Sequence, residues 1–307
     1  MTTVQAADRA VTDPAGGEHR GRGRRSATDR RSPLLTVVVV LLLPYFLLPL
    51  YWLVVSSTKD NSQLYSTFGL WFDQINLVSN VRDVFTAQGG IFWTWLGNTV
   101  LYAVVSAVGA AFLATAAGYA FAKYTFPGGR AMFSVVLGSI MVPTTALAIP
   151  TYLLFSEVRL TDTHLAIIIP SLVSPFGVYL MRVYAADAVD TQLLEAARVD
   201  GAGELRIFFT VALRLMVPGF ITVLLFTLVA TWNNYFLPLI MLSTPERYPL
   251  TVGLAQWQAS AAAGSGGNIL TSNVITGSLI SVVPLIIAFL YLQKYWQSGL
   301  ATGGVKG

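Results

Sequence analysis

Six stretches of this chain, 34–57, 92–122, 131–155, 165–181, 215–241 and 273–293, are strongly apolar and contain no Asp, Glu, Lys or Arg. A helix crosses the ~30 Å hydrocarbon layer of a bilayer with roughly 20 such residues. Backbone in lipid must satisfy its own hydrogen bonds, so windows of this length are read as helices. The pattern predicts an all-α polytopic membrane protein with about six transmembrane helices, the fourth window being the shortest. Composition agrees, since only 11% of residues are charged, against about a quarter in soluble domains.

The basic residues test that count. With six spans, the chain places Arg9, Arg20, Arg22, Arg24, Arg25, Arg30, Arg31, Lys123, Arg130, Arg182, Arg198, Arg206, Arg214, Lys294 and Lys306 on one side. Of the 19 Lys and Arg, only Lys59, Arg82, Arg159 and Arg247 fall on the other. The positive-inside rule makes the first side cytoplasmic, with both termini there, in a cell (inner or plasma) membrane. A missed or extra span would scramble this segregation. The pI near 9.3 therefore reads as topology, with the lipid bilayer as surroundings and no nucleic-acid partner. The absence of cysteine excludes disulfides and thiolate metal sites.

Residues 1–32 are rich in Arg, Gly, Asp and Thr and read as a disordered basic tail. A signal peptide is the competing reading. No small-residue cleavage site follows promptly, and Tyr51, Trp52 and Leu53 extend the apolar run to full span length, which favours an uncleaved helix. Residues 33–307 then form one membrane domain. The first outside loop carries Tyr65, Trp71 and Phe72, which suit an interfacial helix or ordered loop. The short turn 124–130 makes the second and third spans antiparallel neighbours. No internal repeat is apparent, which leans against transporters built from repeated halves.

Between the fourth and fifth windows lies a charged segment rich in small residues. Leu194, Ala197, Gly201, Leu205 and Phe208 recur at helical spacing and predict one apolar face, with Asp200, Glu204 and Arg206 off it. A short amphipathic helix that does not span must rest on the bilayer surface or on a partner. Ala196, Ala197, Gly201 and Gly203 keep its profile thin, which suits a protein cleft; physics alone leaves both readings open. Glu195-Ala196-Ala197, then Gly201, then Val211 and Leu213 resemble the EAA loop of importer-type ABC transporter permeases. In that family the loop is a cytoplasmic helix coupled to a separate ATPase, which implies such a role for Glu195, Ala196, Ala197, Asp200 and Gly201. The family pattern ends in Leu-Pro; here Arg214 follows Leu213, and Pro218 comes four residues later.

The likeness extends along the chain. Gly118-Tyr119-Ala120-Phe121-Ala122-Lys123 with Phe126-Pro127-Gly128, and Trp232-Asn233-Asn234-Tyr235-Phe236 with Tyr248-Pro249-Leu250, resemble sugar-uptake permeases. The ending from Gly299 to Gly307 is similar to that of the smaller, maltose-type permease subunit. The resemblance implies a homologous second permease, two ATPase subunits and an extracytoplasmic sugar-binding protein as partners. It implies ATP and Mg on the ATPases and no cofactor on this chain, a non-catalytic transport subunit moving a sugar inward by alternating access.

Polar residues inside windows are the remaining candidates. Trp232, Asn233, Asn234 and Tyr235 lie within the fifth, and amides in hydrocarbon must face protein or a wet cavity. They read either as sugar contacts, amides for hydroxyls and aromatic faces for the ring, or as helix–helix hydrogen bonds. Ser171, Ser174 and Pro175, and Thr144 and Thr145 after Pro143, are weaker candidates for the same path. His164, at a window's edge, reads as interfacial. No Gly-x-x-x-x-Gly-Lys-Ser/Thr occurs, so the chain has no P-loop of its own. The windows lack the Asp, Glu or Lys that an ion-coupled secondary transporter would need. That alternative and a non-sugar ABC permease are the rivals.

Overall fold

The computed structural model describes residues 33–264 and 269–302, and their regular structure is entirely helical. The tail 1–32 and the terminal residues 303–307 lie outside the described residues. In chain order the helices are α1 (Pro33–Ser57), α2 (Asn61–Ser66), α3 (Leu77–Thr86), α4 (Ile91–Lys123), α5 (Gly129–Ile140), α6 (Thr144–Glu157), α7 (Leu165–Ser171) and α8 (Pro175–Ala188). There follow α9 (Thr191–Val199), α10 (Glu204–Ile207), α11 (Leu213–Leu215), α12 (Val217–Trp232), α13 (Phe236–Met241), α14 (Leu250–Ala262) and α15 (Thr271–Thr302). The chain divides into two units, Met1–Leu48 and Pro49–Gly307. In the first, Leu34, Leu41 and Phe46 leave the apolar surface of α1 exposed, as a lipid-facing helix would.

The second unit is organised on α4. Its 33 residues would reach about 50 Å, beyond the hydrocarbon layer. Trp95, Thr99, Tyr102, Ser106, Ala110, Ala114 and Gly118 are buried at spacings of three and four, and α8 and α12 lie along that stripe. Small residues permit the approach. A Cβ at Gly118 would stand 2.6 Å from both the Arg182 backbone nitrogen and the Met181 Cβ. One at Gly177 would meet the Ala114 Cβ at 3.1 Å. Close backbone contact of this kind is how helices gain packing energy where no hydrophobic effect separates helix from lipid.

Four helices have the length and apolarity to cross a membrane, and two bent pairs raise the number to six. The third window is such a pair: α5 and α6 meet at 108° across a break at residues 141–143. Pro143, which cannot donate a helix hydrogen bond, ends the break as the residue before α6. The loops locate the two ends of this pair along α4. The start of α4 is tied to the loop before α14: Trp95 Nε1 donates to Pro245 O at 2.8 Å and Tyr102 Oη to Arg247 O at 2.8 Å. That same loop holds Asp162, just beyond α6. The far end of α4 is followed at once by α5. The pair therefore enters at one end of α4 and leaves at the other.

The fourth span is longer than its window, running from Leu165 to Ala188 with a break at residues 172–174. Ser174 caps its second half by accepting from Gly177 N at 3.2 Å, and Pro175 opens the helix where a missing N–H costs nothing. Arg182, expected in the loop beyond, lies inside α8 instead. In the loop after α1 Asp60 accepts from Gln63 N at 2.9 Å and Gln63 Oε1 accepts from Asp60 N at 2.9 Å, a reciprocal cap that orders α2. Tyr65 and Trp71 are exposed there, as an interfacial segment requires.

Candidate functional site

The segment between the fourth and fifth spans folds into an elbow. Asp190 starts α9, its Oδ1 accepting from Gln192 N at 2.9 Å. Gly201 stops it with φ +78°, a backbone state that disfavours any side chain. Asp200 N then donates to Ala196 O and Ala202 N to Ala197 O, each at 3.0 Å, which satisfies carbonyls left over at the helix end. The apolar stripe expected to continue through Gly201 and Leu205 is therefore divided between two helices. The left-handed turn resets the phase, so Leu205 is 77% exposed while Ile207 is fully buried.

Leu194, Ile207 and Phe208 root the elbow among Tyr119, Met181, Ala185 and Met216. Glu195, Ala196 and Asp200 are exposed and Ala197 is half-buried. Beside them Leu193, Val199 and Leu205 stand bare, Val199 at 87% exposure. The result is a thin helix with a rooted face and a free face of mixed apolar and acidic character.

One tie that sequence reasoning did not anticipate braces this helix. Arg198 Nε donates to Glu204 Oε1 at 2.7 Å and its Nη2 to Glu204 Oε2 at 3.3 Å. Tyr124 Oη, from the turn after α4, donates to the same carboxylate at 2.5 Å. Arg198 first, then Tyr124, hold the Glu204 carboxyl below its ordinary pKa. Burial, then the acceptor on Glu204, push the Tyr124 hydroxyl up. Tyr124 stands 80 residues from Glu204, so no local pattern announces the contact. The Arg198–Glu204 spacing is visible only once Gly201 is known to fold the chain back.

The elbow's exit departs from the expected pattern at Arg214. Residues 208–212 form a wide helical turn with i→i+5 bonding, Arg214 is exposed, and α10–α11 meet α12 at 78°. Pro218 sits in the first turn of α12, where its ring is tolerated. The proline thus marks the start of the span itself, four residues after Arg214.

Of the four residues expected mid-span, Trp232 ends α12, and Asn233, Asn234 and Tyr235 form the break between α12 and α13. Asn233 Nδ2 donates back to Val229 O at 2.9 Å, and Asn234 Oδ1 accepts from Leu237 N at 3.4 Å at the start of α13. Thr251 Oγ1 donates to the freed Asn234 carbonyl at 2.8 Å, and the buried Trp232 donates to Ser281 O at 3.2 Å. The amides thus satisfy broken helix ends, while Asn233 and Tyr235 remain exposed. Ser171 Oγ donates to Ile167 O at 2.7 Å, an internal helix bond, and Thr144 and Thr145 open α6 as exposed residues. His164 precedes α7 with its ring 5.7 Å from that of Tyr102.

At the opposite end from the elbow, Asp162 holds two loops together. Its carboxylate accepts from Ser243 N and Thr244 N at 3.0 Å, from Thr244 Oγ1 at 2.5 Å and from Arg247 Nη1 at 2.6 Å. Arg247 also donates to the Asp162 carbonyl. Partial burial pushes the Asp162 pKa up, but these donors together lower it to about 2.

The described residues thus form a helical protein with four to six candidate membrane spans and a rooted, free-faced elbow between two of them. Residues 112–301 match the family described as "binding-protein-dependent transport system inner membrane component". The chain is 33% identical over 286 residues to the arabinooligosaccharides transport system permease protein AraQ of Halalkalibacterium halodurans, covering 92% of this chain and 100% of that one. It is 30% identical over 284 residues to the lactose transport system permease protein LacG of Rhizobium radiobacter, covering 90% and 98%. It is also similar to a chain in a crystal structure of a bacterial ABC transporter involved in importing the acidic polysaccharide alginate. There the TM-score is 0.72 with 26% identity, over 88% of this chain and 98% of that one. The chain belongs to the family of inner membrane components of binding-protein-dependent transport systems, and it is a permease of the ABC importer class.

Proposed function

We propose that this chain is one permease subunit of an ATP-driven sugar importer, coupled to separate ATPases through α9. The observation that carries the coupling role is the elbow itself: a helix capped at Asp190, stopped at Gly201 and braced from α4, with its outer face free. Glu195, Ala196, Ala197, Asp200 and Gly201 form the part that docks. A homologous second permease, two ATPases binding ATP and Mg, and an extracytoplasmic sugar-binding protein complete the assembly. The elbow then lies in the cytoplasm together with both termini. The sugar reading is supported by the arabinooligosaccharide and lactose named for two relatives.

Transport proceeds by alternating access. Closure of the ATPases moves α9, and Ile207 and Phe208 carry that motion into the packing of α4 and α8. The bent joint at Met216 passes it to α12, which ends at Trp232 and leads into the break at residues 233–235, and sugar is contacted at these four residues. The ATPase must grip α9 differently in its two states, because an equal grip shifts no population. Pull-down of the tagged full chain from its native membrane, with mass spectrometry, tests the assembly. Recovery of an ATPase, a second permease and a binding protein that binds sugars is the expected result. Recovery of the chain alone after crosslinking would overturn it.

A further inference from the structure

We infer that the groove between the α4–α5 turn and α8 is a binding site for the phosphate headgroup of an anionic phospholipid. The groove is a cavity of about 880 Å³ lined by Phe121, Tyr124, Phe126, Arg130, Phe133 and Arg182. Arg182 is a cation on the candidate span from Leu165 to Ala188, where an unmatched charge is costly. Its neighbours here are neutral: the guanidinium lies 4.0 Å from the centroid of the Phe133 ring, and Nε donates to Phe121 O at 3.4 Å. Arg130, exposed on the opposite wall, and Lys123, which donates to Ala186 O at 3.4 Å, add positive charge. Among the described residues neither arginine is in an ion pair with a carboxylate.

Shape decides which phosphate fits. Away from the cations the lining itself is apolar, with Phe121, Phe126, Ala131 and Phe133. A free phosphate has no use for that surface, whereas an acyl chain does. Arginine also forms paired hydrogen bonds to phosphate oxygens, and basic pockets between transmembrane helices suit anionic headgroups. The site does not depend on what the protein transports.

The test uses the full chain with whatever subunits accompany it, exchanged into nanodiscs of phosphatidylcholine with phosphatidylglycerol. Retained lipid is counted by native mass spectrometry. Phosphatidylglycerol should be enriched over phosphatidylcholine in the wild type and reduced about fivefold by Arg130→Gln. Because Arg182 packs on Phe133, Arg182→Lys is the folded control and should retain most of the enrichment, while Arg130→Gln/Arg182→Gln should abolish it. Thermal stabilisation by a short-chain phosphatidylglycerol but not by inorganic phosphate would support a lipid. Equal response to inorganic phosphate would make this a free-anion site and overturn the proposal. So would unchanged enrichment in the double variant, or loss of the lipid whenever an ATPase subunit is bound, which would make the groove a protein-docking surface.

Discussion

At the scale of single residues, two carboxylates govern opposite ends of the molecule. Glu204 joins Arg198 to Tyr124 and so fixes the angle between α9 and the exit of α4. Exposed ion pairs add little to stability, so the value of this one lies in geometry. Glu204→Gln should leave the thermal midpoint unmoved while uptake in reconstituted vesicles falls severalfold and basal ATPase activity of the complex persists. Exchanging the pair, Arg198→Glu with Glu204→Arg, should recover part of the transport. Asp162 behaves differently because its pKa is lowered to about 2 from 3.8. A depressed carboxylate stabilises the fold fully above its unfolded pKa, and that contribution is lost as pH falls from about 4 through 2. Protection from hydrogen exchange across residues 242–249, relative to the intrinsic rate at each pH, should therefore fall in that window, and Asp162→Asn should show the weaker protection already at neutral pH. Neither tie is legible in the sequence. Each joins residues on different elements, and the charges involved look like any others flanking an apolar window.

At the scale of elements, hydropathy located the spans but not their breaks. A window average treats Pro143 and the Asn233-Asn234 pair as minor dilutions of apolar sequence, yet each falls where a helix stops. The reason is that an asparagine can serve a mid-helix contact or a helix end equally well, and only the neighbouring carbonyls decide. Asn234→Leu removes the acceptor for Leu237 N and should weaken the start of α13. If the break also contacts sugar, Asn233→Leu, whose loss costs one bond within α12, should raise the transport KM with assembly unchanged. Unaltered kinetics in both variants would leave these amides with a structural role alone. The elbow is more legible, because a charged segment rich in small residues between two apolar windows is too polar to be a span. Its phase was lost at Gly201, whose positive φ no spacing rule can see. Gly201→Asp should strain that turn and put charge on the docking face. Uptake and transport-coupled ATPase activity should both be lost while membrane insertion remains normal.

At the scale of the whole molecule, the alternation of loops is the property on which everything else depends. Six spans place the elbow and the Asp162–Arg247 strap on opposite sides of the membrane. The internal contacts agree, since Tyr124 meets Glu204 at one end of α4 while Trp95 and Tyr102 meet residues 245–247 at the other. The bent pair α5–α6 is the vulnerable step, because a re-entrant loop there would return the chain to the side it left. The chain contains no cysteine, so single-cysteine variants report one position each without background. Arg206→Cys and Glu246→Cys both replace exposed side chains in the segments that connect spans at the two ends. A membrane-impermeant maleimide applied to intact cells should label the variant at 246 and spare the one at 206 until the membrane is permeabilised. Labelling of both from outside would mean that α12–α13, which separates the two positions, does not cross, and would place the elbow beyond reach of any cytoplasmic ATPase. Labelling of 206 alone would mean that α5–α6 turns back or that the whole molecule is inverted, and either would remove the six-span, positive-inside reading.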